Sequence, residues 1–347
     1  MSVTIGLIGC GRQAPKHISG LAAWGDVDVV VADIHPERAA ALAETHRARA
    51  VASPEEVFAD PAIEAVSICT PPATHGALIR RSIAARKHFI CEKPLTAELG
   101  EARALMAESE RAGLVGMVGY IYRFAPAFDL AARALQGAAL GGEAAALGAV
   151  SSAYFRIGGQ GSHGTWQHRR DADGGAINEM LVHMTDLAIW FFGPIAEAHV
   201  LAADTRLPER QIRGETVEAD VEDWILARMR SAGGVDILIQ ADLTTPTFLQ
   251  FAEVHGSNGS FMGSIQPDMP TFVHCLEARA GFAAGKTPFA FGPRNLFEAQ
   301  MGLFLDSVAG GRTLDRCTLA DSVRLMEAIE LLRAGETGGG RQVVTGG

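Results

Sequence analysis

Over the first 120 residues the chain alternates short β-branched apolar runs with longer amphipathic or alanine-rich ones. The runs at 3–8, 27–32, 65–69, 88–91 and 114–118 predict strands, and 15–24, 36–46, 74–86 and 96–111 predict helices between them. The last helix carries a start signal, Thr96 followed by Glu98 and an alanine-leucine run. Strands that alternate with helices of this length predict βαβ units and a parallel, doubly wound sheet.

After Tyr120 the grammar changes. Gly141 and Gly142 precede an extended stretch, 149–157, and a glycine-rich and histidine-rich loop follows, GGQGSHGTWQHRRDADGG. One strongly patterned helix comes next, then strand candidates at 196–203, 223–229, 235–243 and 248–255. Strands in succession without helices predict an antiparallel sheet. The expected class is therefore α/β, with a doubly wound parallel domain over 1–121 and an α+β domain over 122–347. The ends, 295–308 and 318–333, are helical again, and these final helices are expected to pack back on the first domain.

Composition narrows the function. A chain of 347 residues, 48% hydrophobic and 20% charged, has the material for two globular cores. A net charge of -10, with no basic stripe to offset it, argues against nucleic acid as a partner. No run approaches the ~18 uncharged apolar residues of a membrane span. The opening MSVTIGLIG lacks a basic stretch ahead of an apolar one, so no secretory leader is expected. Five widely spaced cysteines without a CxxC pair fit reduced thiols in a cytoplasm.

Gly9-Cys10-Gly11-Arg12-Gln13-Ala14 follows the first strand and opens the first helix, fitting G-x-G-x-x-A. Gly9 permits the tight turn, Gly11 has no Cβ to block a pyrophosphate, and Ala14 allows close helix–strand packing. The helix N-terminus, with Arg12 and Gln13, offers oriented donors to phosphates. Asp33 closes the second strand, 22 residues after Gly11, where an acid accepts from an adenosine ribose. A carboxylate there repels a 2′-phosphate, and no Arg or Lys follows until Arg38, so NAD is expected over NADP; a protonated His35 would soften that preference. Thr70 and Pro71 end another strand, with His75 close behind. They either line the cofactor's edge or form a tight strand–helix turn with Thr74 as N-cap.

GLIGCGRQA, VVVAD, VSICTPPATH, CEKPLT, GYIYRFAPAF and GGAINEMLVHMTDLAIWFFG, in that order, resemble the glucose–fructose oxidoreductase/inositol dehydrogenase/rhizopine catabolism (Gfo/Idh/MocA) family. The likeness runs nearly the whole chain, its end looking like the family's last helix and final strand. The resemblance implies an N-terminal Rossmann domain and a C-terminal domain with a large open, mostly antiparallel sheet that forms homodimer or homotetramer contacts. It also implies NAD- or NADP-linked oxidation or reduction of a secondary alcohol on a small polyhydroxylated substrate. Lys93 would be the active-site lysine, Glu92 a contact to the nicotinamide end, and His183 the general acid/base.

The residues support this on their own terms. Glu179, His183 and Asp186 stand at i, i+4 and i+7, one face of a helix. They are either a solvated acidic stripe around a core histidine or a catalytic set. A metal site lacks third and fourth ligands at useful spacing. In the catalytic reading His183 takes a hydroxyl proton near neutrality and Glu179 fixes its tautomer. Lys93 stabilises the developing alkoxide, held extended by Pro94. Pairing of Glu92 with Lys93 is disfavoured because neighbours on an extended segment point to opposite sides.

Two departures from the family pattern stand out. Glu179 occupies a position where inositol-dehydrogenase-like members often have Asp, and Tyr120-Ile121-Tyr122-Arg123-Phe124 lacks the Asn that often precedes Arg-Phe. Substrate contacts are expected from Tyr122, Arg123 and the loop holding His163, Trp166, His168, Arg169 and Arg170. An aromatic face and several donors suit a polyol ring, the arginines suit a carboxylate or phosphate, and Arg170 paired with Asp171 or Asp173 would be a plain solvated loop. Other readings are NADP-linked reduction of a keto-sugar, oxidation of an aromatic diol, and a non-catalytic dinucleotide-responsive regulator on the same scaffold.

Overall fold

The computed structural model describes residues 3–138, 145–160, 164–212 and 214–338. The chain forms two compact units, residues 1–124 with 294–323 and residues 125–293 with 324–347.

In the first unit, β1 (Val3–Ile8), β2 (Val27–Ala32), β3 (Arg49–Ala50), β4 (Ala65–Ile68), β5 (His88–Cys91) and β6 (Gly116–Val118) form a sheet in the order β3-β2-β1-β4-β5-β6. Every pair in it is parallel. The inner strands are largely apolar on both faces because helices cover both: α1 (Ala14–Trp24), α2 (Pro36–His46), α3 (Pro54–Ala59), α4 (His75–Ala84) and α5 (Leu99–Ala112). Ala14 and Ile18 of α1 pack on Leu7, Val31 and the Ala39–Leu42 face of α2. The strand order reverses between β1 and β4, so a crevice opens outside their carboxyl ends, the usual ligand position in such sheets.

Among the described residues the second unit contains α6 (Pro126–Ala134), β7 (Val150–Gly158), a π-turn at Ile177–Leu181 running into α7 (Val182–Phe192), and nine further strands. β8 (Ile195–Asp204), β11 (Trp224–Ser231), β12 (Asp236–Asp242), β13 (Leu249–Gly256), β14 (Gly259–Gly263), β15 (Thr271–Cys275) and β16 (Gly285–Phe289) join β7 in the order β16-β15-β14-β13-β7-β12-β11-β8. β7 and β12 are parallel and the other pairs antiparallel. β9 (Glu209–Ile212) and β10 (Glu215–Glu218) form a separate hairpin. Alternation along the strands buries Ile225, Ala227, Ile237, Ile239 and Val254 on one face. Phe128 of α6 and Phe155 of β7 close on Phe191 of α7 at 6.4 and 6.2 Å between ring centres. The opposite face leaves Leu201 and Leu238 exposed.

The chain returns to the first unit in α8 (Leu296–Val308), capped by the Asn295 side chain on Phe297 N–H, and α9 (Leu319–Gly338) follows. Within the first unit α8 lies on α1, and Gly20 of α1 permits the contact, since a Cβ there would stand 2.5 Å from the Phe297 carbonyl oxygen.

One expected start signal is corrected. α5 begins at Leu99 with Glu98 as N-cap, and the Thr96 hydroxyl donates instead to the Glu98 carbonyl at 2.9 Å. That hydroxyl is used inside the turn that precedes the helix. Gly141, Gly142, His163 and the final strand expected near 341–344 lie outside the described residues.

Candidate active site

The glycine turn is built as its sequence requires. Gly9 has φ 93° and donates its N–H to the Ala32 carbonyl at 2.9 Å. A Cβ on Gly9 would stand 2.8 Å from Thr70 Cγ2 and 2.9 Å from the Cys69 carbonyl, so only glycine fits between β1 and the turn after β4. A Cβ on Gly11 meets nothing within 4 Å, the open approach a pyrophosphate needs. Asp33 is buried and accepts from Cys10 N–H at 2.7 Å and from His35 N–H at 2.9 Å, which ties the glycine turn to the end of β2. Burial, and then the Asp33 charge, push the Cys10 thiol up to about 12, so it stays neutral in the turn. Gln13 Oε1, at the start of α1, is buried without a partner among the described residues. An open cradle at a helix N-terminus fits a dinucleotide phosphate. Arg12 is exposed at the mouth of this turn, and Arg38 and Cys10 border an adjoining groove of about 310 Å³.

The Glu92-Lys93-Pro94 turn leaves β5 beside this cradle through a cis Lys93–Pro94 bond. Glu92 N–H donates to the Ile68 carbonyl at 3.0 Å, and Gly119 N–H to that of Cys91 at 2.8 Å, fixing the turn between β4 and β6. The Glu92 carboxylate is claimed by His17 of α1, whose Nε2 lies 2.8 Å from Oε1. His17 Nδ1 meets Ser67 Oγ at 2.8 Å, and the ring is fully buried. Burial opposes the imidazolium, but the Cys69 sulfur and the Glu92 carboxylate outweigh it and raise His17 to about 10. Glu92 is pushed up by burial, and the His17 hydrogen bond and charge, with Lys93, more than reverse this, so its carboxyl is held below the ordinary range.

His75 sits at the other end of the turn. Its Nδ1 lies 2.7 Å from the Pro94 carbonyl and its Nε2 2.9 Å from that of Thr70. The ring is fully buried and burial lowers its pKa. His75 thus staples the Thr70–Pro71 turn to the Pro94 turn, and both its nitrogens face backbone, not a cofactor edge. Thr74 precedes α4 without a side-chain cap; its Oγ1 lies 2.7 Å from Thr70 Oγ1 and 2.8 Å from the Pro71 carbonyl.

In the second unit the helix with Glu179 and His183 starts against Glu222. Ala176 N–H donates to the Glu222 carbonyl at 2.9 Å and Ile177 N–H to its Oε1 at 3.1 Å, a cap supplied by another strand connection. Gly175 is required here by its φ of 101°, a backbone conformation that side chains rarely adopt. Glu179 lies within the π-turn and His183 at the start of α7, so the widened turn changes their phase from that of a continuous α-helix. Glu179 Oε1 accepts from Gln167 Nε2 at 2.7 Å, and Gln167 is buried. Asp186, the third polar residue of the expected face, is buried.

A family model described as an oxidoreductase family with an NAD-binding Rossmann fold matches residues 3–120, and the Gfo/Idh/MocA C-terminal domain model matches residues 142–262. The chain belongs to the Gfo/Idh/MocA family. It is an NAD-binding oxidoreductase. Over 347 residues this Gfo/Idh/MocA chain is 28% identical to the 1,5-anhydro-D-fructose reductase of Ensifer adhaerens, covering 98% of each. It is 29% identical to the inositol 2-dehydrogenase of Acidothermus cellulolyticus, covering 90% of this chain and 86% of that one. Levoglucosan dehydrogenase in complex with NADH and L-sorbose shares the fold, with a TM-score of 0.85, 22% identity and 97% of each chain covered.

Several expected substrate contacts find other partners. Arg123 is buried in the first unit, 3.0 Å from Asp321 in the ion pair, and its carbonyl accepts from Arg316 at 3.1 Å. The expectation that it binds substrate is corrected, because a guanidinium 1% exposed and paired holds the end of that unit together. Arg169 forms a two-pronged pair with Asp171 at 2.8 and 2.6 Å. The Arg170 guanidinium pairs with neither Asp171 nor Asp173; it donates to the Asp220 carbonyl, and the Arg170 N–H donates to Asp220 Oδ1. His168 is buried, and burial followed by the Arg210 charge lowers it to about 4, so it is neutral at pH 7. Tyr122 is half-buried and Trp166 is exposed.

Proposed function

We propose that this enzyme moves a hydride between a secondary alcohol of a sugar or cyclitol and NAD. The observation that supports this most is the Lys93 turn standing at the carboxyl end of β5, in the same unit and beside the same crevice as the glycine cradle. Relatives matched over most of their length are named for anhydrosugars and inositols. NAD, when bound, supplies a two-electron hydride acceptor. Gly9, Gly11, Arg12 and Gln13 hold its phosphates, Asp33 its adenosine ribose, Thr70 and Pro71 its edge, and Glu92 its nicotinamide end.

Lys93 carries a cation to the alcohol oxygen and lowers the energy of the alkoxide as negative charge builds there. His183 takes the hydroxyl proton, and Glu179, itself held by Gln167, orients the imidazole and stabilises its charged form. Tyr122, Trp166, Arg169 and Arg170 contact the hydroxyl-rich ring. The same reading makes the protein a cytoplasmic homodimer or homotetramer, joined through the open face that exposes Leu201 and Leu238. NAD reduction followed at 340 nm with a neutral polyol tests the activity. Wild type turns over, and His183→Ala loses turnover while keeping its NAD affinity; equal turnover by the variant would refute the role of His183.

A further inference from the structure

The geometry points to His17 as the positioning residue of the active-site turn: it acts through Glu92, fixing that carboxylate toward the nicotinamide end of NAD. The inference rests on the reading of Glu92 and Lys93 given above. A glutamate at the end of a strand has three side-chain torsions to order, and an unclamped one would sample many rotamers. His17 removes that freedom. Its Nε2 is 2.8 Å from Glu92 Oε1, and the carboxylate is only 12% exposed.

The imidazole is itself immobilised. Ser67 Oγ on β4 holds Nδ1 at 2.8 Å, Cys69 Sγ lies 3.8 Å from that hydroxyl, and the Phe297 ring covers His17 at 5.6 Å between centres. His17 touches neither the glycine turn's open approach nor, in the reading above, the alcohol. It also lies one turn into the helix whose N-terminus faces the phosphates, which makes a purely architectural role the competing account.

The two accounts separate by ligand. ADP-ribose shares the phosphates and adenosine of NADH but lacks nicotinamide. For His17→Gln, calorimetry is expected to show NADH affinity falling at least fivefold with ADP-ribose affinity within twofold of wild type. Equal losses for both ligands would make His17 architectural and overturn the inference. Glu92→Gln, which keeps the side-chain shape, should give the same split, and the double variant should lose no more NADH affinity than the worse single one. Additive losses would show that His17 does not act through Glu92. Should His17→Gln fail to fold, Glu92→Gln decides alone, and an unchanged NADH affinity in it overturns the inference. These binding measurements stand even if no sugar is turned over, so a failed substrate reading and a failed role for His17 give different results.

Discussion

Gln167 Nε2 donates to Glu179 Oε1 across 2.7 Å, joining the loop after β7 to the π-turn that leads into His183. A hydrogen bond to a charged acceptor contributes ~1.5–3 kcal/mol. Gln167→Ala is therefore expected to lower kcat about tenfold or more while leaving NAD affinity within twofold. Steady-state kinetics beside calorimetry check this; an unchanged kcat would show that the chemistry does not depend on the Gln167 bond to Glu179.

Lys93→Met keeps the apolar stem and removes the cation. Loss of one charged group aimed at a developing oxyanion costs ~10²–10³ in turnover. NAD affinity should stay near that of wild type, and turnover that survives the change would show that the cation is not used.

The two glycines of the cradle should fail differently. Gly9→Ala meets a positive φ of 93° and atoms 2.8 Å away, so it is expected to lower stability by ~1–3 kcal/mol. Gly11→Ala meets nothing within 4 Å, so its melting temperature should match wild type while NADH affinity falls. Thermal melts and calorimetry on both variants separate the architectural glycine from the ligand-facing one.

Much of this arrangement was legible in the sequence, and what was not has physical causes. The continuous apolar strands and the G-x-G-x-x-A turn carry strong local signals, and β1, β2, β5 and α2 fall where periodicity places them. β3 has two residues, both exposed, so no apolar pattern marks it. β10 and β16 bury little, and alternation too weak to read is what exposure on both faces produces. A π-turn leaves no trace in spacing, so Glu179 and His183 seem in phase as a plain i, i+4 pair. Arg123 looked like a site residue because its partner Asp321 lies far along the chain. His17 carries a signal of its own: a polar residue flanking Ala14, Ile18 and Leu21 on the buried stripe of α1 must find a buried partner.

Two buried histidines should shape stability in opposite directions. His17 is raised from 6.5 to about 10, so the folded state holds a proton that the unfolded chain releases above 6.5. Its contribution is full below pH 6.5 and is lost, at up to about 1.4 kcal/mol per pH unit, as pH rises toward 10. His168 is lowered from 6.5 to about 4, so the unfolded chain binds the extra proton and stability falls as pH drops from 6.5 toward 4. Denaturant titrations across pH should find the alkaline limb flattened in His17→Gln and the acid limb flattened in His168→Asn. Limbs unchanged from wild type would contradict both assignments.

The central claim is tested most directly by absorbance at 340 nm with NAD and a panel of inositols, aldoses, anhydrosugars, sugar acids and sugar phosphates. The account predicts NAD reduction with at least one neutral polyol, abolished in Lys93→Met. Calorimetric binding of NAD with no reduction across the whole panel would contradict it.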